Sequence, residues 1–315
     1  MTVLNEARDI ERGVASLLAL DPPAAEIVVV DGGSDDGTWE QLQAMHLLEP
    51  RLVAISDETC SLKYSAGPIS RGRNVAISAA SCEIIACADA GCTYAGDWLL
   101  NLTGKIVSGE AQYALGGSCL DPAEHTIWDV ASAPFLGVKL APEEPQKSCT
   151  ARSMAFTKDL WQRIGGFPEN VFLGEDTLFD FAARRQMQPA FVNNAKAFYR
   201  PENSFAKASR QLARYAYSDG QARVRWARLN RNALRCVLQM FALGTLPWSG
   251  IPFLLVIALE VVFAFKKDAR FLLHFGVKAV VARLVFSVAV PWLVAVNQIR
   301  GLSSAKPLKT ANSAQ

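Results

Sequence analysis

The sequence predicts an α/β fold, with a mainly parallel sheet flanked by helices and membrane helices after it. Three observations carry this. Short apolar runs alternate with stretches of helical spacing. Two of those runs, ending at Asp31 and Asp89, close on an aspartate. Beyond about Cys236 the composition turns strongly apolar.

The elements follow in order. After "TVLNE", Ile10, Val14, Leu17 and Leu18 recur at helical spacing, and Pro22-Pro23 ends that helix. Ile27 to Val30 is a continuous apolar run, as expected of a strand buried on both faces. Gly37-Thr38 opens a second helix with Trp39 and Leu42 on one side, and Leu52 to Ile55 forms a second strand. "RGRNVAISAAS" predicts a short helix with Val75, Ala76 and Ala79 inward, and Ile84 to Ala88 a further strand. The Pro- and Gly-rich stretch from Gly116 to Gln146 gives no clear pattern. "SMAFTKDLWQRIGGFPEN" then reads as a strand, a helix carrying Leu160, Trp161 and Ile164, and a Gly-Gly stop. "GEDTLFDFAARR" opens another helix, and the dipole alone favours carboxylates in its first turn.

In open α/β sheets, ligands bind outside the carboxyl ends of the strands, which is where Asp31 and Asp89 fall. The loop "VVVDGGSDDGT" is glycine-rich like a phosphate cradle, yet its carboxylates would repel phosphate. Carboxylates accept from N–H and O–H groups, so the loop suits a base or a ribose. Asp36 reads as a turn or helix-start residue.

Bulk properties exclude other classes. The chain has 315 residues and a net charge of +2, so nothing global argues for nucleic acid. Seven cysteines lack any C-x-x-C pair, and Cys82, Cys87 and Cys92 are five apart, which is no zinc spacing. They read as free thiols of a reducing compartment. The charged first residues do not form a secretory signal peptide.

Taken together, "NEA", "VVVDGGSDDGT", "RGRN", "ADAGC" and "GGFPENVFLGEDTLF" resemble, in order and spacing, the family 2 glycosyltransferases with their GT-A fold. The likeness covers roughly Met1 to Trp226. It implies an inverting enzyme that moves a sugar from a nucleotide-diphosphate sugar to a hydroxyl of a lipid-linked or glycan acceptor. By the resemblance Asn5, Glu6 and Asp31 line the nucleoside pocket, Arg73 lies near the donor, and Asp89 binds donor and a divalent metal, Mg²⁺ or Mn²⁺. The family's usual D-x-D is here Asp89-Ala90-Gly91, without its second carboxylate. Asp176 matches the general base, beside Glu175, and Gly165 to Pro168 form part of the acceptor wall. "QLARY" resembles the Q-x-x-R-W motif of processive synthases and would put Gln211 and Arg214 near acceptor and diphosphate; a helix lying on anionic lipid reads the same arginines equally.

The expected organisation is a GT-A domain over 1–232, membrane-associated helices over 233–302 and a polar tail over 303–315. Cys236 to Phe265 would be roughly 45 Å long as one helix, but Gly244, Pro247, Gly250 and Pro252 interrupt it, which suggests a hairpin. Arginines before it and Lys266, Lys267 and Arg270 after it put both ends in the cytosol, on the inner membrane. Phe271 to Arg283, with His274 and Lys278, reads as interfacial, and Leu284 to Ile299 as a span or a shallow helix.

Only Met1 to Leu4 precede Asn5, whereas strands run to about five or six residues. The expectation is a stub of a first strand: either the start lies upstream, the favoured reading, or the short strand is tolerated, or the chain is a degraded copy. The alternatives of other classes are a catalytically inactive nucleotide-sugar-binding subunit of an assembly complex, and a nucleotidyltransferase for sugar phosphates.

Overall fold

The computed structural model describes residues 1–121, 123, 125–140, 149–200, 204–265 and 275–304. The chain divides into two compact units, one of Met1–His125 with Gly137–Pro201, the other of Thr126–Leu136 with Glu202–Gln315. The split differs from a single boundary near residue 232, because a short internal segment groups with the C-terminal helices.

The first unit begins with β1 (Thr2–Val3), α1 (Ile10–Leu18), β2 (Ile27–Asp31), α2 (Thr38–Leu48), β3 (Leu52–Ser56), α3 (Pro68–Ala79) and β4 (Ile84–Cys87). It continues through β5 (Cys92–Tyr94), α4 (Trp98–Val107), β6 (Tyr113–Leu120), β7 (Met154–Thr157), α6 (Lys158–Arg163), α7 (Glu175–Arg184) and β8 (Ala190–Tyr199). The remaining helix of this stretch, α5 (Ile127–Ser132), belongs to the second unit.

The strands form two sheets, β1-β2-β3 and β4-β7-β6-β8-β5. The first is all parallel, as the apolar runs and intervening helices predict. The second is mixed. β6 runs parallel to β8, while β4, β5 and β6 make antiparallel pairs.

The unreadable stretch begins with β6, whose eight residues are all buried. Gly116-Gly117 interrupts its apolar run and hides the strand from a pattern search. The glycine is required by close approach. A Cβ on Gly116 would stand 2.7 Å from the Ala195 carbonyl oxygen on β8, at the point where the β6–β8 register shifts.

Helix α3 buries Ala76 and packs Val75 against the core as expected, but its inward face also takes in Arg73 and Ile77 and leaves Ala79 out. Arg73, Ala76, Ile77 and Ala80 are buried, while Val75 is half-buried and Ala79 exposed. The 3.6-residue repeat places 73, 76, 77 and 80 on one side, and a charged residue on that side is what the apolar pattern concealed.

Beneath α7, Phe156, Phe167 and Phe179 pack together, with Phe167 and Phe179 stacked at 4.3 Å between centroids. All three are at most 1% exposed. This cluster anchors the start of α7 and the loop before it.

The second unit holds α8 (Phe205–Gln221), α9 (Trp226–Thr245), α10 (Ile251–Phe265) and α11 (Val277–Ser304). The break between α9 and α10 falls in the Gly/Pro stretch, as expected. No boundary falls at Arg283. One helix runs from Val277 through Pro291 to Ser304, and Arg283 is buried within the unit, donating to the carbonyl of Val130 at 2.8 Å. A donor satisfied this way need not mark a helix end. Glu260, the one charge in the apolar run, meets Arg235, Gln239 and Ser287, the last two at 2.8 and 2.9 Å. Lys266, Lys267, Arg270, His274, most of the 271–283 segment's first half and the tail from residue 305 lie outside the described residues.

Phe179→Ala removes the centre of the aromatic cluster and is expected to cost about 3–5 kcal/mol. The midpoint of denaturant unfolding, followed by tryptophan fluorescence, measures it. A shift under about 1 kcal/mol would mean that the cluster is not the anchor of α7.

Candidate active site

Two clusters of candidate side chains lie in the first unit. The first joins the β1–α1 and β2–α2 loops. Asp31, at the end of β2, is 1% exposed. Its Oδ1 accepts the backbone N–H groups of Gly33 and Ser34, both at 2.9 Å, and its Oδ2 accepts the Ser34 hydroxyl. The carboxylate therefore folds its own loop, and it keeps lone-pair capacity on Oδ2.

Asn5 and Glu6 meet this loop. Asn5 has φ of 57° and accepts from the Asp35 N–H at 3.0 Å, while its own N–H donates to the Ser34 hydroxyl. The Glu6 N–H donates to the Thr38 hydroxyl at 2.8 Å. Asp36 binds the Thr38 hydroxyl and N–H and also the Ala7 N–H. These bonds, the Thr38 hydroxyl first, hold its carboxyl below the usual range. Asp36 is thus the clasp between the two loops, as its position before a helix suggested.

The second cluster joins the end of β4 to the start of α7 through α3. Arg73, 6% exposed, sends one guanidinium nitrogen to Asp89 Oδ1 at 2.9 Å and the other to Glu175 Oε1. Its face lies 5.6 Å from the centre of the Phe167 ring. Burial alone would lower the Arg73 pKa, but Glu175 and Asp89 outweigh it and hold the guanidinium charged. Burial pushes the Glu175 carboxyl up, and Arg73 opposes that push. Asp176 is close enough to contribute to the field on Arg73.

Arg73 was expected near the donor. Its two terminal nitrogens fasten Asp89, itself a candidate donor-side residue, to Glu175, a role no local pattern signals, because the partners lie 16 and 102 residues away.

Asp176 opens α7 beside Glu175. Its Oδ1 accepts the Thr177 N–H at 2.6 Å and its Oδ2 the Ala151 N–H at 3.3 Å. It is half-buried, a carboxylate oriented by backbone donors. Asp89 retains 34% side-chain exposure.

Sequence reasoning missed Asn74. Its amide accepts from the Phe167 N–H at 2.9 Å and the Trp161 indole at 3.1 Å, and donates to the Phe167 carbonyl and Glu169. It thereby pins the Gly165–Pro168 loop. Gly166, at φ 77°, passes so close that a Cβ would stand 3.0 Å from Asn74 Oδ1. The asparagine after "RGR" was the available signal.

Gln211 and Arg214 lie on α8 in the second unit, the first half-buried and bonded to the Tyr215 hydroxyl at 3.3 Å, the second exposed. All seven cysteines are free, and five are buried. Among the described residues no group of three or more His, Cys, Asp or Glu side chains is placed to hold a metal.

Residues 1–156 match the model of Glycosyl transferase family 2. This span is a family 2 glycosyltransferase domain. No curated protein matches the chain in sequence. Among solved structures, the mannosyltransferase PcManGT from Pyrobaculum calidifontis, in complex with GDP-Man and Mn²⁺, aligns over 95% of this chain and 85% of its own, at 18% identity and a TM-score of 0.56. S. aureus TarS 1-349 in complex with UDP-GlcNAc aligns over 96% and 89%, at 16% identity and a TM-score of 0.48. At such identity the likeness to the mannosyltransferase is one of fold, and it agrees with the α/β, GT-A reading of the glycosyltransferase domain.

Arg73→Met would leave Glu175 buried without its partner and is expected to cost about 3–5 kcal/mol. In a Glu175→Gln background the same change should cost at least 1 kcal/mol less, a coupling read from denaturant midpoints in a double-mutant cycle, at roughly that scale for contacting residues. Additive costs would dissolve the ion bridge as a structural unit.

Proposed function

We propose that this chain is an inverting glycosyltransferase that moves a sugar from a nucleotide-diphosphate donor to a hydroxyl acceptor. The observation that carries the reading is the Arg73 bridge. It ties Asp89, just beyond the carboxyl end of β4, to Glu175 at the head of α7, with Asp176 beside it. A donor-side and an acceptor-side carboxylate are then held by one rigid ion cluster.

In this reading Asp31, Asn5 and Glu6 line the nucleoside end, where carboxylate and amide oxygens accept from base and ribose. Asp176 is the general base. The acceptor oxygen attacks the anomeric carbon, its proton passes to Asp176, and the bond from that carbon to the diphosphate oxygen breaks. One displacement inverts the centre. Positioned proton transfer of this kind is worth roughly 10²–10⁴ in rate.

Asp89 alone is a sparse metal site, and one of its oxygens already accepts from Arg73. A sparse site still fits Mg²⁺ or Mn²⁺, which use one or two carboxylates and take substrate phosphate oxygens and water for the rest. Asp89 would hold such an ion through its other oxygen. The ion's chemistry is to neutralise charge on the leaving diphosphate.

A lipid-linked or glycan acceptor at the inner membrane, with the domain facing the cytoplasm, completes the reading. Support comes from α11, 28 residues long with a mean hydropathy of 2.2 over its most apolar window, half of which is exposed. Trp248, Ile251, Leu254 and Leu255 add exposed apolar surface at the α9–α10 turn and on α10. Gln211 and Arg214 would serve the acceptor or the diphosphate.

The test is donor hydrolysis by detergent-solubilised protein across UDP-, GDP- and dTDP-sugars with Mn²⁺ or Mg²⁺. Asp176→Asn should lower turnover by about 10²–10⁴ with donor affinity retained. EDTA and Asp89→Ala should each abolish the metal-dependent rate. Saturable donor binding without turnover, unchanged by Asp176→Asn, would favour an inactive nucleotide-sugar-binding subunit; pyrophosphate released from an added nucleoside triphosphate and sugar 1-phosphate would make it a nucleotidyltransferase. After an alkaline carbonate wash the chain is expected to stay with the membrane fraction, and release by salt alone would reduce the attachment to a surface one.

A further inference from the structure

In the second sheet β4, β6 and β8 run one way, because β4 and β6 are each antiparallel to β7 and β8 is parallel to β6. The carboxyl ends of β4 and β8 therefore share one sheet edge with the turn Thr150–Ser153, which leads into β7. Ligands of α/β sheets bind outside such an edge. The pairing of Cys87 with Met154 ends the β4–β7 ladder. Two further steps along each chain bring Asp89 and Arg152 to matching positions beyond it.

Arg152 is 9% exposed, and its guanidinium carbon lies 3.9 Å from the centre of the Tyr199 ring, at the end of β8. Tyr199 pairs with Cys92, the first residue of β5. A Cβ on Gly91 would stand 3.7 Å from Cε2 of the same ring. Gly91 is the third residue of Asp89-Ala90-Gly91, where a D-x-D has its second carboxylate. The place without that carboxylate thus adjoins a ring that carries a cation. Arg152 and Asp89 both act on Cys92. Burial pushes its thiol up, Arg152 opposes the push and Asp89 adds to it.

The charges of the neighbouring cluster call for a further cation. Asp89, Glu175 and Asp176 are three carboxyl groups beside one guanidinium, Arg73, whose terminal nitrogens bind two of them. A diphosphate would meet net negative charge there. A guanidinium stacked by its face presents its N–H donors edgewise, in the fork that matches phosphate oxygens.

The same turn also touches the candidate base. The Ala151 N–H donates to Asp176 Oδ2 at 3.3 Å, and the Thr150 hydroxyl accepts the Arg152 N–H at 3.4 Å. Two adjacent residues thereby meet Asp176 on one side and the ring beside Gly91 on the other.

We propose, resting on the transferase reading above, that Arg152 binds the diphosphate of the donor and gives this chain a recognition of diphosphate that does not depend on a metal. When the bond from the anomeric carbon to the diphosphate breaks, its electron pair stays on the departing oxygen. The guanidinium stabilises that charge and keeps its own protons.

The experiment measures calorimetric binding of UDP, GDP and the two monophosphates to the detergent-solubilised full chain in EDTA. Wild type is expected to keep a preference of about tenfold or more for one diphosphate over its monophosphate. Arg152→Met should weaken that diphosphate by about 10- to 100-fold and leave the monophosphate unchanged. Arg152→Lys should fall between them, because it keeps the charge and loses the fork and the stacking. Thermal midpoints report whether each variant folds, and the wild-type comparison decides without any substitution. A preference that vanishes in EDTA overturns the role of Arg152. So does a folded Arg152→Met chain with unchanged diphosphate affinity, or with equal losses for both nucleotides. Wild type that binds no nucleotide, with Mn²⁺ or without, overturns the transferase reading itself and this inference with it.

Discussion

A guanidinium withdrawn from water must be answered by carboxylates held where it can reach them, and Arg73 imposes that condition on three elements at once. Its donors bind Asp89 past the end of β4 and Glu175 at the first turn of α7, while its own helix, α3, sets the height of the contact. Coulomb attraction in a low-dielectric setting is large, but so is the desolvation it offsets. The bridge is therefore less a source of stability than a constraint on geometry. Any arrangement that separates β4 from α7 strands a buried charge.

The aromatic cluster supplies the stability that the ion bridge does not. Phe156, Phe167 and Phe179 fix α7 to β7 from below, and Phe167 lies against the guanidinium face. Asn74, one residue after Arg73, holds the loop that carries Phe167. Two neighbouring polar side chains on α3 thus place the head of α7 and the loop before it. Asp176 then takes its orientation from backbone N–H groups, which a side-chain rearrangement does not easily disturb.

The β1–α1 and β2–α2 loops follow a different logic. Asp31, Asp36, Ser34 and Thr38 bond mainly to backbone N–H groups and hydroxyls, and mainly to each other. A loop rich in carboxylates is stable there because its acceptors are matched by local donors. The same saturation leaves only part of Asp31 available to a ligand.

Much of this was legible in the sequence, because it depends on local pattern. Continuous apolar runs gave β2 and β4 away, helical spacing did the same for α1, and the Gly-Gly stop and "GED" marked both ends of the segment leading into α7. The order of the motifs pointed to a glycosyltransferase of the GT-A fold, which the match over residues 1–156 bears out. What the sequence could not show were properties of contacts distant along the chain. The antiparallel pairing of β4 with β7, the bond from Arg73 to Glu175 and the grip of Asn74 on Phe167 each join segments tens of residues apart. Hydrophobic periodicity reports which face of an element is buried, and it carries no record of the partner that buries it. Residue types and their order determined the fold class and the candidate chemistry. Packing decided which charges face one another, since only a closed tertiary structure removes the water that would otherwise separate them.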